Sequence, residues 1–252
     1  MNLEHIIAER TSKKIYRDGD VIIKLFDENY STSDVLNEAL NHARVEETGL
    51  KIPKFVEVTK IDGKWAIVNE YIEGKTLDKI IEENKGDSEK LDALLDRFVE
   101  LQVEIQSKTS PLLTKLRDKM RRKIEQTGLD ATIRYELNTR LESTPKHNKL
   151  LHGDYNPSNI IVTPEDEWYV IDWAHATQGN GGEDAARTYL LFSIEGKADL
   201  AKRYLDAYCK KTDTARQYVQ RWIPIVAASQ LVKGNADERE FLMKWIDVVE
   251  YE

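Results

Sequence analysis

The sequence changes character near residue 72, and this change limits the folds that the chain can adopt. Before that point, β-prone runs are separated by Asp-Gly turn signals at residues 18–20 and 62–63, and one stretch with helical spacing, Ser31–Thr48, interrupts them. After Gly74 the spacing of apolar residues is mainly helical. We therefore predict an α+β protein, with a small antiparallel β lobe that contains one helix and a larger, mainly α-helical lobe.

The predicted boundary makes residues 1–72 the N-terminal β-rich lobe and residues 73–252 the C-terminal helical lobe. Two lobes of this kind typically close on a cleft. The helical lobe contains one β-like island, Leu150–Asp172, which has two short strands around a polar loop. Its helices are predicted at Ser88–Ser107, 111–126, 130–142 and 185–192, and Asp184 is the predicted cap of the last one.

The composition is that of a globular protein. The chain has 252 residues, a formal net charge of −8 and a single cysteine, Cys209, which cannot form an internal disulfide. No apolar run of the C-terminal half is long enough to cross a membrane, so we expect a cytoplasmic protein with no membrane contact. The net acidity also disfavours nucleic acid as a partner, although the basic stretch Lys115–Lys123 departs from that average. No pattern in the sequence sets an oligomeric state.

The polar loop of the island indicates chemistry. It holds His152, Asp154 and Asn159, and Asp172 follows an apolar strand thirteen residues after Asn159. A carboxylate at the end of a buried strand needs water, a cation or a hydrogen-bond donor. Asn159 and Asp172 are both hard oxygen ligands of the type that Mg²⁺ takes beside phosphate, which leaves Asp154 to accept a proton from an attacking hydroxyl.

These residues resemble a known family. His152-Gly153-Asp154 with Asn159, followed by Asp172 in Ile-Asp-Trp, is similar to the aminoglycoside phosphotransferase and choline kinase family, which has a protein-kinase-like fold. The resemblance implies an enzyme that uses ATP and Mg²⁺. It implies a catalytic loop with His152 and Asp154, and metal binding by Asn159 and Asp172.

The same resemblance implies a nucleotide site. Lys24, the only charge in a β-prone run, would hold the α- and β-phosphates, and Glu38 on the following helix would be its partner. The backbone near Glu70 and Ile72 would meet the adenine. Two residues of the stretch 9–14, Ser12 and Lys13, would contact phosphate. That stretch lacks the glycines that the family usually carries there, which puts nucleotide affinity in question.

The predicted function is transfer of the γ-phosphate of ATP to a hydroxyl of a small molecule: an aminoglycoside, a choline-like amino alcohol or a sugar. The acidic C-terminal half would fit a cationic acceptor, although surface acid commonly serves solubility. The alternative is a non-catalytic, pseudokinase-like nucleotide-binding module, which the glycine-poor stretch favours. Two other classes are weaker: a protein kinase, which lacks room for an activation segment between Asp172 and Asp184, and a metal-dependent hydrolase.

Overall fold

The computed structural model describes residues 1–10 and 12–246. The chain forms two compact units, and the division does not follow the order of the sequence. The first unit contains Met1–Glu83 and Pro157–His175, and the second contains Asn84–Asn156 and the residues from Ala176 onward. The island predicted at 150–172 is therefore shared between the two units. The mixed architecture confirms the predicted α+β class.

The element bounds are as follows. The strands are β1 (Ile6–Arg10), β2 (Lys13–Asp18), β3 (Val21–Phe26), β4 (Phe55–Ile61), β5 (Lys64–Glu70), β6 (Lys75–Thr76), β7 (Lys149–Leu151), β8 (Ile160–Val162), β9 (Trp168–Val170) and β10 (Thr177–Gly179). The helices are α1 (Thr32–Glu46), α2 (Leu77–Glu83), α3 (Ser88–Ser107), α4 (Leu116–Glu125), α5 (Ala131–Ser143), α6 (Gly181–Ile194), α7 (Ala198–Thr212), α8 (Arg216–Gln220), α9 (Ile223–Leu231) and α10 (Ala236–Ile246).

The first unit is built on a five-stranded sheet in the order β1-β2-β3-β5-β4, with antiparallel neighbours. Both predicted Asp-Gly turns connect paired strands, β2 to β3 and β4 to β5. Alternate residues of a strand point to opposite faces. Ile23 therefore packs with Tyr16 in one cluster, while Phe26 packs with Val35 of α1 in another. Lys24 lies two residues before Phe26 and so faces the same side of the sheet as α1.

A second, three-stranded sheet completes the first unit, in the order β6-β8-β9. Strands β8 and β9 form a hairpin in which Ile160 pairs with Val170. Because the pairing is antiparallel, the residue before β8 and the residues after β9 lie at the same end of this hairpin. These residues are Asn159 and Ile171-Asp172.

The second unit is mainly helical, and its core is aromatic. Phe98 of α3 stacks on Tyr155 with ring centroids 4.4 Å apart, and Tyr204 of α7 lies 5.8 Å from Phe98. The prediction for α3 is confirmed residue for residue. Among the described residues, no helix is long and apolar enough to span a membrane.

The prediction for α6 was wrong at its start. The helix begins at Gly181, four residues earlier than predicted, and its cap is Asn180, whose side chain accepts a hydrogen bond from the Gly182 N–H at 2.9 Å. Asp184 lies inside the first turn and is fully buried. An aspartate at a glycine-rich loop resembles a helix cap in sequence, but this one lies in the interior.

Candidate active site

Lys24 links two carboxylates in the first unit. Its ammonium donates a hydrogen bond to Glu38 of α1 and another to Oδ1 of Asp172 at 3.1 Å. Lys24 and Glu38 are only 8% and 7% exposed, so this ion pair is withdrawn from water. Burial alone would lower the pKa of Lys24, but Asp172 and Glu38 outweigh it and hold the pKa above its usual range. The lysine is therefore charged at any physiological pH.

The local sequence explains this arrangement. Glu38 lies between Val35 and Ala39 on the buried stripe of α1, three and one residues away, so helical spacing turns its side chain toward the sheet. Strand β3 is central in the sheet, paired with β2 and β5, which fixes the register of Lys24 opposite Ile67. A charged side chain from each element therefore meets its partner inside the unit, as buried charges require.

Asp172 follows β9 with a left-handed backbone, φ +63°. A non-glycine residue in this region carries strain, and such strain occurs at functional sites when the surrounding structure enforces it. Here the preceding residue, Ile171, donates its N–H to the carbonyl of Asn159 at 2.9 Å. This backbone bond holds Ile171, the residue next to Asp172, against Asn159, so the two predicted metal ligands lie at one end of the β8–β9 hairpin.

The electrostatics of Asp172 keep it ionised. Burial would raise the pKa of Asp172, but Lys24 and then Lys13 outweigh it and hold the pKa far below its usual range. Lys13 Nζ lies 3.7 Å from the second carboxylate oxygen. Burial and the neighbouring Lys24 in turn lower the pKa of Lys13. Asp172 is one-third exposed, so an ionised carboxylate faces solvent at this point.

The stretch 9–14, which is predicted to contact phosphate, lies where the first two strands meet. Most of the stretch 9–14 belongs to strands β1 and β2, and only residues 11 and 12 connect them; Thr11 lies outside the described residues. The Ser12 carbonyl accepts a hydrogen bond from the Asp27 N–H at 3.0 Å. Lys13 therefore approaches Asp172 from a strand, not from a flexible loop.

The connector residues Glu70 and Ile72 stand at the end of β5. The Glu70 carboxylate accepts a hydrogen bond from the Lys54 N–H at 3.0 Å, and Ile72 is buried. Between them, the Tyr71 N–H donates to the carbonyl of Asp20 at 2.8 Å. Residues 71–73 line a cavity of about 230 Å³ in the first unit, together with residues 163–165 and Tyr169.

His152 and Asp154 lie in the second unit, in the loop after β7. His152 is fully buried, and its Nδ1 accepts a hydrogen bond from the Asp154 N–H at 3.2 Å. Asn156 donates its side-chain N–H to the Asp154 carbonyl at 2.9 Å. The Asp154 side chain is one-quarter exposed. The geometry gives His152 contact with the backbone of the loop and leaves the carboxylate of Asp154 at the surface of the unit.

A buried network around Asp184 supports this loop. The Gly153 N–H donates to Asp184 Oδ1 at 2.8 Å, and Gln102 of α3 donates to Asp184 Oδ2 at 3.3 Å. The Tyr204 hydroxyl then donates to Gln102 Oε1 at 2.5 Å. The one available signal was Gln102 itself, a polar residue on the apolar stripe of α3, four residues after Phe98.

The sequence also gave no sign of the cations beside Asp154. Arg187 of α6 places Nη2 3.7 Å from Asp154 Oδ1, and Lys233, after α9, places Nζ 3.9 Å from the same oxygen. These partners come from separate segments of the chain. No spacing rule connects them to the His-Gly-Asp loop.

Magnesium has a suitable donor set in the first unit. Within residues 1–10 and 12–246, no group of three or more His, Cys, Asp or Glu side chains is placed to hold a metal ion. Mg²⁺ usually takes one or two protein oxygen ligands and completes its shell with water and phosphate. Asp172 and Asn159 lie at one end of the β8–β9 hairpin, and an ionised carboxylate and an amide oxygen are ligands that fit that requirement.

The fold and these residues define the class of protein-kinase-like phosphotransferases. The chain belongs to the phosphotransferase enzyme family, whose model matches residues 7–219. No curated protein sequence matches the chain significantly.

Solved structures have the same fold. A thermostable mutant of aminoglycoside phosphotransferase APH(4)-Ia, in its apo form, matches with a TM-score of 0.71 and 17% identity over 96% of this chain and 92% of that chain. Choline kinase LicA from Streptococcus pneumoniae matches with a TM-score of 0.66 and 17% identity over 98% of this chain and 93% of that chain. A choline/ethanolamine kinase family protein from Mesorhizobium loti matches with a TM-score of 0.64 and 16% identity. The match covers 98% of this chain and 85% of that chain.

Proposed function

We propose that this chain transfers the γ-phosphate of ATP to a hydroxyl group of a small molecule. The observation that carries the proposal is the buried Lys24, held between Glu38 and Asp172, because it fixes an ammonium for phosphate next to an ionised oxygen ligand. The APH(4)-Ia relative supports it, since that protein has been crystallised as a ternary complex with AMP-PNP and hygromycin B. That structure matches with a TM-score of 0.70 at 17% identity, over 96% of this chain and 91% of that chain.

Each residue has a distinct role in the proposed reaction. Lys24 holds the phosphates of ATP, and Glu38 keeps its ammonium in place. Asn159 and Asp172 would hold Mg²⁺, which neutralises developing charge on the phosphoryl oxygens. Asp154 accepts the proton of the acceptor hydroxyl. Catalysis of this kind depends mainly on positioning and on electrostatic stabilisation of the transferring group.

Other predicted residues have supporting roles. We assign His152 to positioning, because it is buried and accepts a hydrogen bond from the Asp154 backbone. Lys13 is proposed to contact phosphate together with Ser12, and the backbone at Glu70 and Ile72 to meet the base. The division into lobes at 72/73 and the cytoplasmic location remain predictions from the sequence.

One observation favours a second candidate, a non-catalytic nucleotide-binding module. Residues 6–18, which include β1 and β2, contain no glycine, so no glycine-rich loop lies between these strands. A coupled assay of ADP release over hydroxylated small molecules, with Asp154→Asn as the blank, separates the two candidates. Magnesium-dependent release that needs both an acceptor and Asp154 supports the phosphotransferase. Nucleotide binding without release from any acceptor supports the module and rejects the enzyme.

A further inference from the structure

Asp154 sits in a cationic environment, in contrast to the acidic chain around it. Arg187 and Lys233 lie 3.7 and 3.9 Å from its Oδ1. Lys119 of α4 interacts electrostatically with both Arg187 and Asp154, and Lys123 of the same helix interacts with Lys119 and Lys233. We call these four side chains the Asp154 cationic cluster: Lys119, Lys123, Arg187 and Lys233. The basic stretch seen at Lys115–Lys123 in the sequence thus contributes half of it.

Arg187 is the most constrained member of the cluster. It is 6% exposed, and its hydrogen bonds go to neutral groups at long distances, 3.4 Å to Ser229 Oγ and 3.2 Å to Gln230 Oε1. Its Nε is buried and has no hydrogen-bond partner among the described residues. A buried guanidinium with weak neutral partners and a loose ion pair is costly unless a further anion approaches it.

Two further carboxyl groups, Glu183 and Glu238, act on the lysines of the cluster. Burial, and then Asp184, raises the pKa of Glu183 to about 7, so Glu183 is partly neutral at physiological pH. Glu238 accepts hydrogen bonds from Gln230 at 2.9 Å and from Asn235 at 2.7 Å. Glu238 acts electrostatically on Lys233, and Glu183 on Lys119, so Asp154 shares the cations with these two carboxyl groups.

The pKa values of two lysines of the cluster are lowered, as expected for lysines that lie close to another cation. Burial and then Arg187 lower the pKa of Lys119 to about 8. Burial and then Arg187 also lower the pKa of Lys233. A bound anion would relieve both lysines, because it removes the repulsion and favours their charged forms.

We propose that the acceptor carries an anionic group, a phosphate ester or a carboxylate, that the Asp154 cationic cluster binds while the acceptor hydroxyl meets Asp154. This proposal rests on the proposed function, because it concerns the acceptor of that reaction. Arginine and lysine bind phosphate and carboxylate through charge-assisted hydrogen bonds. A cationic aminoglycoside or amino alcohol would instead meet like charges next to the reacting hydroxyl.

Calorimetric titration of the full chain with four six-carbon probes tests the proposal, at one pH and ionic strength. Glucose 6-phosphate and gluconate are the anionic probes, glucose is neutral, and glucosamine is cationic. We expect at least one anionic probe to bind about tenfold more tightly than glucose and glucosamine. Lys119→Gln and Lys233→Gln should each weaken that binding about fivefold. The control Arg122→Gln, an exposed position on the same helix, should leave it unchanged.

Several results would overturn the inference. One is equal or tighter binding of glucosamine, and another is anion binding that does not respond to Lys119→Gln or Lys233→Gln. A third is anion binding that is lost only in Lys24→Met, because the anion would then bind at the proposed ATP phosphate site and not at the cluster.

Turnover separates this inference from the function on which it rests. ADP release with glucosamine but with neither anion rejects the anionic acceptor and keeps the phosphotransferase. Anion binding that depends on the cluster, without ADP release from any acceptor of a broad panel, rejects the phosphotransferase. ADP release that is faster with an anionic probe than with glucose supports both.

Discussion

Lys24 donates a hydrogen bond to Asp172 at 3.1 Å, although the two residues are 148 positions apart in the chain. The contact joins a central strand of the five-stranded sheet to the end of the β8–β9 hairpin, which belongs to the second sequence segment of the first unit. The first unit therefore needs both of its sequence segments to assemble its charged centre. Glu38 completes that centre from α1.

Lys24→Met should damage both activity and folding. The substitution leaves Glu38 and Asp172 without their shared cation, and removal of one partner from a buried ion pair costs about 3 kcal/mol of the free energy of unfolding. Phosphate transfer should fall by at least about 100-fold, because the fixed positive charge is lost. Urea unfolding and initial rates measure the two effects.

The matched control for that variant is Lys64→Met on β5. Lys64 makes an exposed ion pair with Glu28 at 3.6 Å, which contributes at most about 1 kcal/mol. Similar losses of stability in the two variants would show that the buried ion pair contributes no more to the free energy of unfolding than the exposed one.

The lowered pKa of Asp172 predicts how stability depends on pH. A carboxyl group whose pKa is lower in the folded state stabilises the protein above its unfolded pKa, about 4, and loses that contribution as the pH falls toward its folded pKa. Asp172→Asn should therefore be less stable than wild type at neutral pH, and its free energy of unfolding should fall less steeply below about pH 4. Denaturant unfolding across the acid range measures both slopes. Parallel curves for the two proteins would contradict the prediction.

Local patterns allowed the sequence to predict most elements of the fold. The Asp-Gly turns, the helix after Lys24 and α3 follow from turn chemistry and apolar spacing, which act over a few residues. The end of the β8–β9 hairpin that carries the predicted metal ligands, Asn159 and Asp172, also follows from a motif of short span.

Contacts that depend on burial could not be predicted in the same way. Asp184 looked like a helix cap, because the sequence does not show that Gln102 and the Gly153 N–H reach it in the interior. Arg187 and Lys233 meet Asp154 from α6 and from the turn after α9, and packing alone brings them together.

Asp154→Asn should remove catalysis and keep nucleotide binding. The amide preserves the size of the side chain but cannot accept the hydroxyl proton, and a general base typically contributes 10²- to 10⁴-fold, so kcat should fall by about 1,000-fold. The nucleotide Kd should change by less than about threefold. Steady-state rates and calorimetry with an ATP analogue measure these quantities.

The control for the charge change is Asp130→Asn. Asp130 caps α5 by accepting the Thr132 N–H at 2.8 Å, and asparagine caps equally well. This variant should keep full activity. Residual turnover close to wild type in Asp154→Asn would reject Asp154 as the base.

Tyr204→Phe tests the buried network behind the proposed catalytic loop. The variant loses the hydroxyl that donates to Gln102, and a buried hydrogen bond contributes about 1 kcal/mol to the free energy of unfolding. Because Gln102 also donates to Asp184, we expect kcat to fall several-fold while KM for ATP stays unchanged.

A comparison with Tyr135→Phe separates this effect from a general loss of a hydroxyl. Tyr135 is 75% exposed on α5, so its variant should match wild type in stability and rate. A fall in stability without any change in kcat for Tyr204→Phe would show that the network supports the helices alone.

Gly74→Ala should destabilise the second sheet of the first unit. A Cβ at this position would lie 2.4 Å from the Val162 carbonyl oxygen and 2.8 Å from Cγ2 of Ile161, so the backbone of β8 must move. Overpacking of this kind costs about 1–3 kcal/mol of the free energy of unfolding.

Gly86→Ala is the matched control, because a Cβ there meets nothing within 4 Å. This variant should be neutral or stabilise the protein by up to about 1 kcal/mol. Unfolding curves measure both variants, and amide exchange at Thr76, which pairs with Ile161, reports the sheet directly. Unchanged exchange at Thr76 in Gly74→Ala would mean that β8 tolerates the methyl group and that the close approach of Gly74 is not required.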